Sequence, residues 1–260
     1  MPPIQYYTRL SAKIVTALTV LTNEGALYEV DMRLRPSGRA GPLANSLEGF
    51  ETYHAQSAWT WEHLALTRAR VIHGPPALVD QLNRIIASTL CRPRDPEALV
   101  RDVADMRDRI AQHAPAKGPW DFKHLPGGLF DIDFVAQYLA LRHAAARPDI
   151  LHPHPAEMLR RAASAGFVGQ SDAERLRSAR LLMSDVQGLL RLTLDGDEAT
   201  FDEAKAPEGQ QRLIAATEDE PDIGALRRRI ETERAAARAI YERIVEAPAR
   251  AAGWKARSET

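Results

Sequence analysis

The sequence predicts a mainly α protein: a small α+β portion, then an antiparallel bundle of helices. Three observations predict it. A single stretch, Leu27 to Leu34, alternates apolar and polar residues as a strand does. After residue 75 apolar residues recur at helical spacing, punctuated by proline, glycine and capping residues. No second strand-rich region follows, so the later helices have mainly one another to pack against.

Composition narrows the class. The 260 residues carry 34 Lys and Arg against 35 Asp and Glu, a formal net charge of −1. That balance exerts no overall pull on nucleic acid or a membrane surface. Hydrophobic residues are 45% and charged residues 27%, ordinary for a soluble globular chain of one large or two small domains. The single cysteine, Cys91, excludes an internal disulfide and a cysteine-built zinc site. No apolar run approaches the ~20 residues of a membrane span. Met1-Pro2-Pro3 leads straight into an amphipathic helix rather than a signal peptide, and a cytoplasmic protein is expected.

Residues 4–22 read as a helix with Tyr7, Leu10, Ile14, Leu18 and Leu21 at helical spacing, stopped at Asn23-Glu24-Gly25. The alternating strand follows. Tyr28, Val30, Met32 and Leu34 fall on one side, and Glu29, Asp31, Arg33 and Arg35 on the other. Pro36 ends the strand, and Ser37-Gly38 begins a turn that continues through Gly41. Two carboxylates and two guanidiniums on one face suit a cation with phosphate oxygens, but by pattern alone a solvated face of cross-strand ion pairs is the commoner reading.

Asn45 with Glu48 has capping-box spacing, so a helix starts near Ser46. A second helix is expected from Ala58 to Ile72, with Trp59, Leu66 and Ala69 able to share a face. Its Trp61, Glu62, His63, Arg68 and Arg70 make a dense aromatic, acidic and basic group, readable as a site or as helix pairs at i, i+4. Further helices are expected at 76–90, 96–113, 129–147, 155–165, 172–194, 208–217 and 222–247. Asp95-Pro96 opens one, Ser171–Glu174 caps another as a capping box, and Gly166 ends a third. A domain boundary falls near 73–95, dividing the chain into 1–75 and 76–250.

Gly127-Gly128 feeds directly into the helix at 129, whose first turns carry Asp131 and Asp133. Acidic groups there complement the helix dipole. Alternatively the turn aims them toward the neighbouring domain. Four other features are set aside. Asp195-Gly196-Asp197 follows a helix end, Ser171-Asp172 caps a helix, His152-Pro153-His154-Pro155 lacks an acidic or cysteine companion, and Cys91 has no nucleophile motif. No Walker-type loop and no G-x-G-x-x-G occur.

Three stretches together, Tyr28–Gly38 (Y-E-V-D-M-R-L-R-P-S-G), Ala58–Arg70 (A-W-T-W-E-H-L-A-L-T-R-A-R) and Gly127–Gln137 (G-G-L-F-D-I-D-F-V-A-Q), resemble the bacterial glutamine synthetase adenylyltransferases. The first two look like the C-terminal, adenylylating half of those bifunctional adenylyltransferase/deadenylylase enzymes. The helical part also resembles the domain that follows the catalytic core in PII uridylyltransferases. The resemblance implies the C-terminal remnant of a DNA polymerase β-like nucleotidyltransferase core followed by a helical bundle. It implies Mg²⁺ held by three carboxylates, ATP as substrate, and a tyrosine of glutamine synthetase as acceptor. Glutamine synthetase, the PII signalling protein and glutamine as effector are the implied partners, with no nucleic acid or membrane.

By this resemblance Asp31 is the third metal carboxylate, with Glu29 beside it. Arg33, Arg35, Ser37 and Gly38 are nucleotide contacts. Trp61, Glu62, His63, Arg68, Arg70, Asp131 and Asp133 support the site. The family's Gly-Ser-Asp-x-Asp motif is absent from this sequence, so an N-terminally truncated piece that does not transfer AMP alone is expected. A non-catalytic helical interaction module and a PII uridylyltransferase relative are the competing expectations; the A-W-T-W-E-H stretch argues against the latter.

Overall fold

A computed structural model describes residues 1–23, 25–26, 29–194 and 196–256, with Ala26 described by its backbone only. Tyr28 and Asp195 therefore lie outside the described residues, as do Glu24 and Leu27. The chain divides into two compact units, Met1–Leu90 and Cys91–Thr260.

In the first unit, α1 spans Pro3–Thr19, with proline at its first helical positions where the missing N–H costs nothing. Its predicted apolar stripe is uncovered: Tyr7, Leu10 and Ile14 are exposed, and α1 buries no residue. A two-residue hairpin follows, β1 (Leu21–Thr22) antiparallel to β2 (Gly25–Ala26), with Gly25 at φ 97°. The helix ends three residues earlier than expected because this hairpin takes Leu21 and Thr22.

The strand expected through Leu34 is corrected. Residues 29–32 have no regular structure and 33–37 are turns. Leu34, assigned to a buried face, is 62% exposed, and Val30 and Met32 are half-buried. The physical reason is pairing. An extended segment needs a neighbour for its N–H and C=O groups, and among the described residues the only sheet is the β1–β2 hairpin.

α2 (Leu47–Gln56) begins at Ser46, whose hydroxyl accepts from the Gly49 N–H at 3.0 Å. The cap is thus Ser46, one residue later than Asn45. α3 covers only Thr60–Leu66, not 58–72. Trp59 is its N-cap and 71% exposed, and Ala69 is exposed beyond its end, so the shared face with buried Leu66 does not form. α4 (Pro76–Leu90) packs on α2 and α3, so it belongs to the first unit and not, as the division at residue 75 had it, to the second.

The second unit is all helix among its described residues. α5 (Pro96–His113) starts at the expected Asp95 cap. α6 (Leu129–His143) is buried on every side from Asp131 through Leu141 and packs against α5, then α7 (Pro155–Ser164), α8 (Gln170–Thr193) and α10. A helix with no polar face belongs at the centre of a bundle. Gly166 closes α7 at φ 78°, as its position predicts. α8 begins two residues before the expected start with Gly169 as cap, and Asp172 pairs instead with Arg243 at 2.5 Å. α9 (Glu208–Ala216) leads to α10 (Ile223–Tyr241). The path then widens into a π turn over Glu242–Glu246 before α11 (Ala247–Ala251). Pro248, which has no N–H to donate, sits just beyond the widened turn. No helix among the described residues is long and apolar enough to cross a membrane.

Candidate functional site

The site residues nearest the chain start lie on the irregular segment and turn at 29–41. Asp31 and Arg33 form a fork: Nε donates to Oδ1 and Oδ2 at 3.0 and 2.8 Å, and Nη2 to Oδ2 at 2.6 Å. The Arg33 amide adds a bond to Oδ1 at 2.9 Å. These bonds, chiefly that from the guanidinium, lower the Asp31 pKa to about 2. Both side chains are exposed, as is Glu29.

Arg35 is used differently. Its guanidinium donates to the carbonyls of Met32 (2.6 Å), Gly41 (3.0 Å) and Arg39 (3.2 Å), lacing the turn shut. Inside the turn, Ser37 has φ 62° and Gly38 φ 53°. A Cβ on Gly41 would stand 2.0 Å from the Pro36 carbonyl oxygen, so only glycine lets the turn close. The R-P-S-G-x-x-G pattern is therefore a backbone requirement as well as a candidate binding motif.

Glu62 is buried at the head of α3. Its Oε2 accepts from the Trp59 N–H at 2.9 Å, capping the helix, and its Oε1 accepts from the Tyr53 hydroxyl at 2.7 Å. Burial, with Glu62 beside it, pushes the phenol pKa up. His63 donates from Nε2 to the His54 carbonyl at 3.1 Å, and Trp61 is half-buried. Arg68 and Arg70 are exposed. A cavity of about 540 Å³ within the first unit is lined by Leu34, Arg35, Phe50, Glu62, Arg68 and Arg70 among others, so it draws together two of the three motif stretches. Tyr53 was not singled out by the sequence; its only sequence signal is its place on a short helix between the two motifs.

Asp131 and Asp133 belong to the second unit and are engaged inside it. Asp131 is 0% exposed. It accepts from Arg107 Nε at 2.5 Å, from the Gly127 N–H at 2.7 Å and from Arg238 at 3.3 Å. Arg238 continues to Glu246 at 2.5 Å. Asp133 pairs with Arg180 at 2.9 Å. A Cβ on Gly127 would sit 1.9 Å from the Arg234 carbonyl oxygen, and one on Gly128 2.1 Å from that of Phe122. The glycine pair thus lets the loop pass against backbone while Asp131 locks it. Both acidic groups are thus held by arginines of other helices of the second unit, Arg107 and Arg238 on Asp131 and Arg180 on Asp133.

The features set aside stay outside the site. Asp197 caps a short 3₁₀ turn and pairs with Lys117 at 2.5 Å. The His154 N–H bonds the His152 ring at 3.0 Å in a closed loop. The Cys91 thiol pKa is raised by burial, the wrong direction for a nucleophile. Among the described residues no group of three or more His, Cys, Asp or Glu is arranged to hold a metal ion.

Residues 2–85 match a family model described as "Glutamate-ammonia ligase adenylyltransferase". Residues 99–245 match one described as "GlnD PII-uridylyltransferase". The chain is 44% identical over 241 residues to a bifunctional glutamine synthetase adenylyltransferase/adenylyl-removing enzyme of Rhodopseudomonas palustris strain TIE-1, covering 93% of this chain and 24% of the relative. It is 45% identical over 241 residues, with the same coverage, to the protein so named in Bradyrhizobium sp. strain BTAi1. A third, from Xanthobacter autotrophicus, is 42% identical over 245 residues, covering 94% of this chain and 24% of that relative. The chain spans about a quarter of the length of these curated relatives.

Proposed function

This chain belongs to the glutamine synthetase adenylyltransferase family, and from that premise we propose that it forms part of an enzyme that moves AMP from ATP to a tyrosine hydroxyl of glutamine synthetase. The observation that carries the reading is the continuous match at 44% identity across 93% of the chain, which takes in all three motif stretches. Both units fall under related descriptions, one of an adenylyltransferase and one of a PII-uridylyltransferase. The helical unit is thus of a kind shared with PII-modifying enzymes, and it is the part we assign to signalling by PII and glutamine. The substrate assignment rests on residues 2–85.

Within the site we assign Asp31 as a metal carboxylate, with Glu29 beside it. Arg33 binds phosphate by exchanging the Asp31 carboxylate for phosphate oxygens in the same forked geometry. Ser37 and Gly38 form the turn against the nucleotide, and Arg35 holds that turn in shape. Glu62, Trp61, His63, Arg68 and Arg70 line or brace the neighbouring cavity.

The Mg²⁺ this chemistry calls for does not fit the described residues alone. Asp31 offers one carboxylate, and such ions take further carboxylate, phosphate or water oxygens. We therefore derive no step through the ion here. The chain by itself is expected to transfer no AMP. Incubation with glutamine synthetase, Mg²⁺ and labelled ATP checks this, and label on glutamine synthetase tyrosine would overturn it.

A further inference from the structure

We propose that the cavity of the first unit is the base subsite of the nucleotide, holding the adenine of ATP while its phosphates lie on Arg33; this rests on the reading of Arg33 as a phosphate contact. The cavity measures about 540 Å³, within the range of small-molecule sites. Its walls are chiefly apolar: Leu34 and Pro36 from the turn, Phe50 from α2, Leu66 from α3, and Leu82 and Ile86 from α4. On the α3 side the wall is pre-formed, because Glu62 is buried there and held at both oxygens, by the Tyr53 hydroxyl and the Trp59 N–H. Phe50 meets the His54 ring at 4.4 Å between centroids, which steadies a ring on which a base can stack. Asn45 lines the cavity from an exposed position. The cap expected of it falls to Ser46, and its amide carries the donor and acceptor that the N6/N7 edge of adenine takes.

Position along the chain favours the base as occupant. Leu34 follows Arg33 directly, so the cavity wall begins one peptide, about 3.8 Å, from the Arg33 backbone. The Arg33 side chain itself is exposed. One molecule of ATP has both matching ends: phosphates for an exposed guanidinium, and a flat, weakly polar base for an apolar cavity beside it. The base is the end that does not react, and binding energy from such a remote part serves to hold the reacting phosphorus in place. The tyrosine acceptor fits this cavity poorly. Its phenol would enter hydroxyl first, taking the reacting atom to the apolar floor and away from phosphates on Arg33.

The test uses a full-length Rhodopseudomonas palustris relative in which this chain replaces its matching segment, assayed for AMP transfer to glutamine synthetase. Two variants change the cavity in opposite ways. Phe50→Ala removes the stacking ring and is expected to raise KM for ATP roughly 5- to 150-fold, the scale of one base on one aromatic ring. Ala69→Leu narrows the cavity from an exposed position outside the core and is expected to raise KM for ATP at least about fivefold. In both, the inhibition constant of tripolyphosphate, which has phosphates and no base, is expected to stay within about twofold. Arg33→Ala is expected to raise that constant together with KM for ATP. An unchanged KM for ATP in either cavity variant, a parallel rise in the tripolyphosphate constant, or a rise in KM for glutamine synthetase instead, overturns the proposal. If Arg33→Ala also leaves KM for ATP and the tripolyphosphate constant unchanged, the nucleotide reading of the turn fails with it. If Arg33→Ala raises both and the cavity variants raise neither, only the assignment of the cavity fails.

Discussion

Asp31 and Arg33 stand two residues apart and hold each other by three side-chain hydrogen bonds in the open. The folded pKa of Asp31, about 2, lies below its ordinary 3.8. The pair's contribution to stability is therefore present above pH 3.8 and is lost as pH falls from there toward 2. A carboxyl-detected NMR titration is expected to place the Asp31 midpoint near 2, and Arg33→Ala to return it toward 3.8. Asp131 presents the opposite case: fully buried, with two arginines and a backbone N–H on its oxygens. Asp131→Ala strands Arg107 in the core and is expected to cost about 3–5 kcal/mol in chemical denaturation. The acidic identity of both residues was legible in the sequence. Their surroundings were not, because Arg107 and Arg238 reach Asp131 from 24 and 107 positions away. No local spacing encodes such pairs.

At the scale of elements, caps and turn residues carried the most information. Asp95-Pro96 and Gly166 act where the sequence put them, since their conformational limits are local, whereas Gly25 has the expected positive φ but serves the hairpin and does not end α1. The alternating stretch misled because alternation specifies two faces but not a partner strand, and the described residues supply none beyond the β1–β2 hairpin. The α1 stripe is periodic and yet uncovered for a related reason: periodicity states which face is apolar, not what lies against it. Glycines separate two effects cleanly. Gly166 has φ 78° with open space around it, so Gly166→Ala is expected to cost about 1–2 kcal/mol, the left-handed penalty alone. Gly127 has φ 73° and backbone where a Cβ would go, so Gly127→Ala is expected to cost more than about 3 kcal/mol. Denaturant midpoints of the two variants, compared at equal m-value, check the difference.

At the scale of the molecule, the second unit has its own core, built around α6 and closed by α5, α7, α8 and α10. Residues 91–256 are therefore expected to fold alone, with helical circular dichroism and one cooperative transition. The division into two units was legible from the change of pattern after residue 75. The observed division after Leu90 lies inside the 73–95 window, but the cut at residue 75 misplaced α4, which looks like any bundle helix and is assigned only by its packing on α2 and α3. The central proposal is that Asp31 serves adenylyl transfer in a longer enzyme of which this chain forms part. Its most direct measurement is the transfer of labelled AMP to glutamine synthetase by a full-length Rhodopseudomonas palustris relative in which this chain replaces the matching segment, with and without Asp31→Asn. Asparagine preserves volume and removes the charge. Loss of at least about a hundredfold is expected, since metal-borne charge stabilisation amounts to several kcal/mol and each 1.36 kcal/mol is tenfold in rate. An Asp31→Asn enzyme that melts at the same temperature and transfers AMP at the unaltered rate would contradict the claim.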